Sequence, residues 1–155
     1  MEVHKITGTK VLPKEFEAVV EISAEADPVK YGYIPQTLGD DGDPLDVCVV
    51  TPYPVLSGTV IRCRPIGALE MEDEKGNDWK MMAVPVTKVC SVYADWRSVD
   101  DVPPDLLKRL RHFFEHSKDL EPGKWTKVQH WKSREEAECL IEGGIAAYEA
   151  KFGSK

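Results

Sequence analysis

The first half of the chain carries short apolar runs separated by proline, glycine and aspartate. The second half carries two amphipathic stretches of helical period. Runs at Glu17 to Ser23, Val47 to Thr51, Thr59 to Met71 and Lys80 to Val86 are rich in valine and isoleucine, and they predict strands with barrel-like spacing. Glu74-Lys75-Gly76-Asn77 lies between two of these runs and predicts a hairpin tip flanked by Asp73 and Asp78. Side chains alternate along a strand, so Asp78 and Lys80 fall on one face. Pro103-Pro104 opens a helix whose apolar stripe is Leu106, Leu107, Leu110, Phe113 and Phe114. Ser133 to Glu136 fits a capping box, and Ala137, Leu140, Ile141, Ile145, Tyr148 and Phe152 follow on one stripe. Gly143-Gly144 should weaken that helix by about 1 kcal/mol per glycine.

Composition narrows the class. A chain of 155 residues, 42% hydrophobic and 30% charged, suits one domain spanning residues 1–155 with a single core. No repeat, linker or low-complexity tract divides it. The first residues form no apolar leader and no run approaches bilayer-spanning length, so a cytoplasmic protein is expected. Cys48, Cys63, Cys90 and Cys139 form no C-x-x-C pair and read as reduced structural residues. A net charge of -7 opposes attraction to nucleic acid or anionic membranes. It does not oppose a small phosphate substrate, provided a cation stands between carboxylates and phosphoryl oxygens.

The segment Asp40-Asp41-Gly42-Asp43-Pro44-Leu45-Asp46 runs directly into the apolar strand that starts at Val47. Two carboxylates about 4 Å apart repel by about 4 kcal/mol at an effective dielectric near 20. A converging set therefore needs cations or raised pKa values. Oxygen donors alone favour Mg²⁺, Mn²⁺ or Ca²⁺ over zinc. An acidic solvated turn is the plain alternative, since Asp, Gly and Pro are ordinary turn residues. A calcium EF-hand fails: counting from Asp41, the sixth position is Asp46 rather than glycine and the twelfth is Pro52. The balance shifts with Asp73 and Asp78, with Lys80 on the face of Asp78, and with Lys118 and Lys124. Metal-collecting acids beside phosphate-binding lysines are what two-metal phosphoryl transfer requires.

One rival motif is His112-Phe113-Phe114-Glu115-His116, which matches the H-x-x-E-H zinc-peptidase pattern on the predicted helix. The buried stripe leaves His112 and His116 on the polar flank and no third ligand is marked, so packing or solvent exposure is the better role for both. Trp125 and Trp131 come without the basic stripe that base stacking needs.

Taken together, Asp41-Gly42-Asp43-Pro44-Leu45-Asp46-Val47, Thr51-Pro52-Tyr53-Pro54, Ile61 to Gly67, and His112 to His116 through Gly123-Lys124-Trp125 closely resemble the soluble family I inorganic pyrophosphatases of the bacterial type. The likeness runs from about Lys10 to the C-terminus. It implies an α+β fold: a small barrel of the oligonucleotide-binding type, closed or partly opened, with two helices packed outside, usually assembled as a homohexamer. It implies Mg²⁺-dependent hydrolysis of pyrophosphate by direct attack of a metal-activated water, with Mn²⁺ left open by the oxygen donors as an alternative ion. By resemblance Asp41, Asp46 and Asp78 are metal ligands, Asp73 serves further magnesium, and Asp43 is the base that activates the water. Glu21 is a supporting acid. Lys30, Tyr31, Lys80, Lys118 and Lys124 fall at or near the two phosphates.

The chain departs from that family in two places. A two-strand stretch that normally separates the lysine of Asp27-Pro28-Val29-Lys30 from the tyrosine of Tyr31-Gly32-Tyr33-Ile34 is missing, and with it a phosphate-binding arginine and a metal-associated glutamate. Ser117-Lys118 also stands where the family has tyrosine-lysine, so Ser117 is a shortened substrate contact. The ends of a hairpin lie about 5 Å apart, so one peptide unit can reseal the chain. The expected outcome is an opened barrel with an unpaired edge and weak catalysis with metal ligands in place. The alternative is a non-catalytic barrel that binds phosphate, metal or a protein partner.

Overall fold

The computed structural model describes residues 11–22 and 28–153. Ser23, expected to end the first strand, and Asp27 lie outside them. Seven strands occupy Phe16–Ile22 (β1), Val29–Ile34 (β2), Leu45–Val50 (β3), Val60–Asp73 (β4), Gly76–Asn77 (β5), Lys80–Pro85 (β6) and Thr126–Lys132 (β7). Among the described residues two α-helices span Pro104–His116 (α1) and Arg134–Phe152 (α2).

Strand pairing closes on itself. β1 pairs β2, β2 pairs β3, β3 pairs β6 in parallel, β6 pairs β4, and β4 returns to β1. This five-strand ring is the order expected of an oligonucleotide-binding-type fold. The opened edge anticipated from the sequence is not formed, because β1 has a partner on each side. Lys30 and Tyr31 are consecutive residues of β2 and register against Val49 and Cys48. Close approach at Gly32 permits the seam: a Cβ there would lie 2.0 Å from the carbonyl oxygen of Val19. β4, the longest strand, also carries β5 and β7 on its distal half.

Alternation along the strands builds two cores. One gathers Val47 and Val49 of β3 and Met81 and Ala83 of β6 with Ala137 and Ile141 of α2. The other gathers Cys48 and Val50, Met82 and Val84, and Leu69 and Met71 with Leu106, Leu110 and Phe114 of α1. Lys80 and Asp73 share the parity of the second set and meet Phe114 and Lys118 on the α1 side, while Asp46, near the start of β3, also borders residues of α2. Cys48, Cys63 and Cys90 are buried and unbridged, while Cys139 is exposed.

Helix α2 starts where the sequence indicates, with half of the expected capping box: the Ser133 hydroxyl accepts from the Glu136 amide at 3.1 Å, while the Glu136 carboxylate meets that hydroxyl at 3.4 Å rather than the Ser133 amide. Helix α1 carries Pro104 in its first turn. Its stripe is narrower than expected, because Phe113 is 50% exposed. Leu106, Leu110 and Phe114 already fill the space against the sheet, and Phe113 instead stacks on Tyr31 with centroids 5.2 Å apart. Phe152, at the end of α2, is likewise 43% exposed. Gly144 is buried against the loop that leads to β3, where the Leu38 amide donates to its carbonyl at 3.0 Å.

Candidate active site

The hairpin predicted between Asp73 and Asp78 forms, with Asp73 opposite Gly76 and the Lys75 amide donating to Asp73 Oδ1 at 2.8 Å. Gly76 supplies the positive φ of the tip, +119°. Past the tip the chain enters β6, and Lys80 folds back so that its Nζ lies 2.9 Å from Asp78 Oδ2. β6 runs parallel to β3 with Met81 beside Val47, which sets Asp46 next to Lys80. Lys80 Nζ donates to Asp46 Oδ2 at 2.7 Å and lies 5.6 Å from the Phe114 ring centroid. One ammonium therefore serves two carboxylates, one on β3 and one in the connection between β5 and β6.

The electrostatics follow from that sharing. Burial opposes the Lys80 charge, yet Asp46 and Asp78 outweigh burial and raise its pKa. Asp46 is pushed up to about 6, first by burial and further by Asp78, because half an ammonium does not offset both. Asp73 behaves in the opposite way. Its burial is overcome by Lys118 at 3.0 Å and by the Lys75 amide, and its pKa is lowered, with Lys80 contributing from farther off. Lys118 also pairs with Glu74 at 2.9 Å. The two clusters thus form one charged face, three aspartates and Glu74 against Lys80 and Lys118.

Asp41, Asp46 and Asp78 line one cleft of about 350 Å³, together with Asp40 and with Trp79 and residues of α2. Asp43 sits at the exposed apex of the acidic loop, its amide donating to Asp41 Oδ1 at 3.0 Å, and does not line this cleft. Among the described residues, no three acids, histidines or cysteines converge tightly enough to hold an ion as they stand. The donors are hard oxygens, suited to Mg²⁺ or Mn²⁺.

The phosphate-side residues divide. Tyr31 faces Phe113 and Phe114 beside the Lys80 pair. Lys30, next along β2, is 1% exposed and shares the parity of Ile34, which lies in the α2-side core. Lys124 is exposed and pairs with Glu121 at 3.2 Å. Ser117 donates to the Phe114 carbonyl at 3.1 Å and serves the helix end. Glu21 is exposed and, after burial, is a cause of the raised pKa of Tyr33. His112 and His116 are exposed, and His116 pairs with Asp119. Glu74 and Asp40 join the site although the sequence pattern gives them no role beyond the hairpin tip and the acidic segment; their adjacency to Asp73 and Asp41 is the available signal.

A family model described as inorganic pyrophosphatase matches residues 2–149. This chain belongs to the inorganic pyrophosphatase family. The inorganic pyrophosphatase of Ralstonia nicotianae is 42% identical, covering 96% of this chain and 99% of that protein. Its alignment spans 173 residues against a chain of 155, so the Ralstonia pyrophosphatase carries residues that this one lacks. The pyrophosphatase of Aquifex pyrophilus is 52% identical over 83% of this chain and 71% of that protein. Among solved structures, the Helicobacter pylori pyrophosphatase superposes with a TM-score of 0.87 at 32% identity, covering 94% of this chain and 99% of that one. The ring, the helices and the acidic loop therefore belong to a pyrophosphatase scaffold.

Proposed function

We propose that this chain is a cytoplasmic, magnesium-dependent enzyme that hydrolyses inorganic pyrophosphate to two phosphates. The observation that carries this reading is the meeting of Asp46 and Asp78 on Lys80, within a family of pyrophosphatases. Acids that attract a divalent cation and lysines that attract phosphoryl oxygens stand side by side.

Asp41, Asp46 and Asp78 are the residues that would hold magnesium, or Mn²⁺ in its place, and Asp73 would serve a further ion. Bound magnesium would supply acidity to a coordinated water and neutralise phosphoryl charge. Asp43, exposed at the loop apex, would take the proton of the attacking water. Lys80 and Lys118, with Lys124 as a further contact, would offset charge on the two phosphates, and the Tyr31 hydroxyl would orient one of them, whereas Lys30, 1% exposed, would reach a phosphate only if β2 shifted to uncover it. No nucleophilic side chain is needed, so no covalent intermediate forms. By resemblance the working form is a homo-oligomer, the hexamer.

We also assign this chain a slower rate than its full-length relatives. A lost hydrogen bond to a charged group costs about 1.5–3 kcal/mol, one to two powers of ten if it acts in the transition state. An arginine clamp contributes about 10³ to 10⁵ in other phosphoryl-transfer enzymes. Asp43→Asn tests the assignment of the base: the rate of phosphate release should fall by about 10² to 10⁴, and an unchanged rate removes Asp43 from that role.

A further inference from the structure

We propose that Lys80 is an internal counter-ion which exchanges with the divalent cation, so that loading of the ion at Asp46 and Asp78 releases Lys80 to the substrate. The inference rests on the pyrophosphatase reading for the identity of the ion, but its core is geometric. Lys80 Nζ stands 2.7 Å from Asp46 Oδ2 and 2.9 Å from Asp78 Oδ2. A divalent cation held by these carboxylates would need the same oxygens that the ammonium now occupies. The two cations exclude each other.

The exchange has a direction. Lys80 projects from the first residue of β6 with a side chain only 16% exposed. Phe114 lies on one side of it, at 5.6 Å. Asp46 comes from β3 and Asp78 from the connection that precedes β6, and they would otherwise face each other as like charges. Lys80 holds them together, and the side chain that leaves them remains within the same charged face as Lys118 and Asp73. The ammonium becomes available to a phosphoryl oxygen only after its carboxylates have been taken. Ion before substrate is the order this enforces, and the affinity of the free protein for the first ion is lowered by the competing lysine.

Magnesium titration by calorimetry, with no substrate present, tests the exchange. Lys80→Gln should bind the first ion about tenfold more tightly than the unaltered protein, the weight of two partly exposed ion pairs, whereas Lys80→Arg should not tighten. In the unaltered protein, the Lys80 ammonium signal in nitrogen-15 NMR should be protected without magnesium and lose that protection as the ion is added. Equal or weaker magnesium binding by a folded Lys80→Gln, no binding by either protein, or an ammonium signal that ignores saturating magnesium would overturn the proposal. Failure to hydrolyse pyrophosphate while the exchange is seen would count against the proposed function alone.

Discussion

Gly32→Ala perturbs the seam that closes the ring. A Cβ at Gly32 would sit 2.0 Å from the Val19 carbonyl oxygen and 2.9 Å from its carbon, and both contacts are backbone. Relief requires β1 and β2 to part by roughly 1 Å, since contacts under about 3 Å are repulsive. β1 cannot retreat freely, because Phe16 to Val19 are registered against Cys63 to Val60 of β4. Overpacking costs about 1–3 kcal/mol where side chains can yield, so about 3 kcal/mol is expected against backbone. At about 2–4 °C per kcal/mol for a chain of this size, the melting temperature should fall by roughly 6–12 °C. Thermal unfolding followed by far-ultraviolet circular dichroism reads this directly. A melting temperature within about 2 °C of the unaltered protein would refute the described β1–β2 register.

Gly143→Ala should do the reverse, because nothing lies within 4 Å of its Cβ position and helix propensity favours alanine by about 1 kcal/mol; urea denaturation checks the gain. Lys118→Met leaves the buried Asp73 carboxylate with only backbone support and should cost about 1.5–3 kcal/mol, whereas Glu74→Gln should cost under about 1, both by urea denaturation. Asp46, with its pKa near 6, must lose its proton to meet a cation, so calorimetric magnesium affinity should be level above pH 6 and fall by up to about tenfold per unit below it. Because this acid is raised in the fold, its ionisation erodes stability of the ion-free protein as pH rises from about 4 to about 6, and magnesium should restore that loss in a thermal melt.

What the sequence disclosed depended on the range of each interaction. The β4–β5 hairpin, the Ser133 cap and the contact between Asp78 and Lys80 are set by neighbours two or three residues apart and all formed, although Asp78 lies in the connection before β6 rather than on the strand itself. The Asp46–Lys80 pair spans 34 residues and exists only because β3 and β6 run parallel, a pairing no local pattern announces. β2 was missed because Lys30 and Gly32 interrupt its apolar residues, although both are buried in the ring. β7 was missed because Thr-Lys-Val-Gln-His-Trp-Lys is half exposed and mostly polar, held by its pairing with β4. Phe113 misled through periodicity: helical spacing placed it beside Phe114, but its ring found Tyr31, a residue whose position depends on the fused junction.

The central claim is hydrolysis of pyrophosphate by this shortened chain. Phosphate release from pyrophosphate by the purified protein, with magnesium and then with EDTA, tests it most directly, alongside an intact mass confirming that Lys30 is joined to Tyr31. The account predicts magnesium-dependent release, abolished by EDTA and slower than that of a relative carrying the additional segment. No release from a folded chain of the expected mass, at any magnesium concentration, would contradict it.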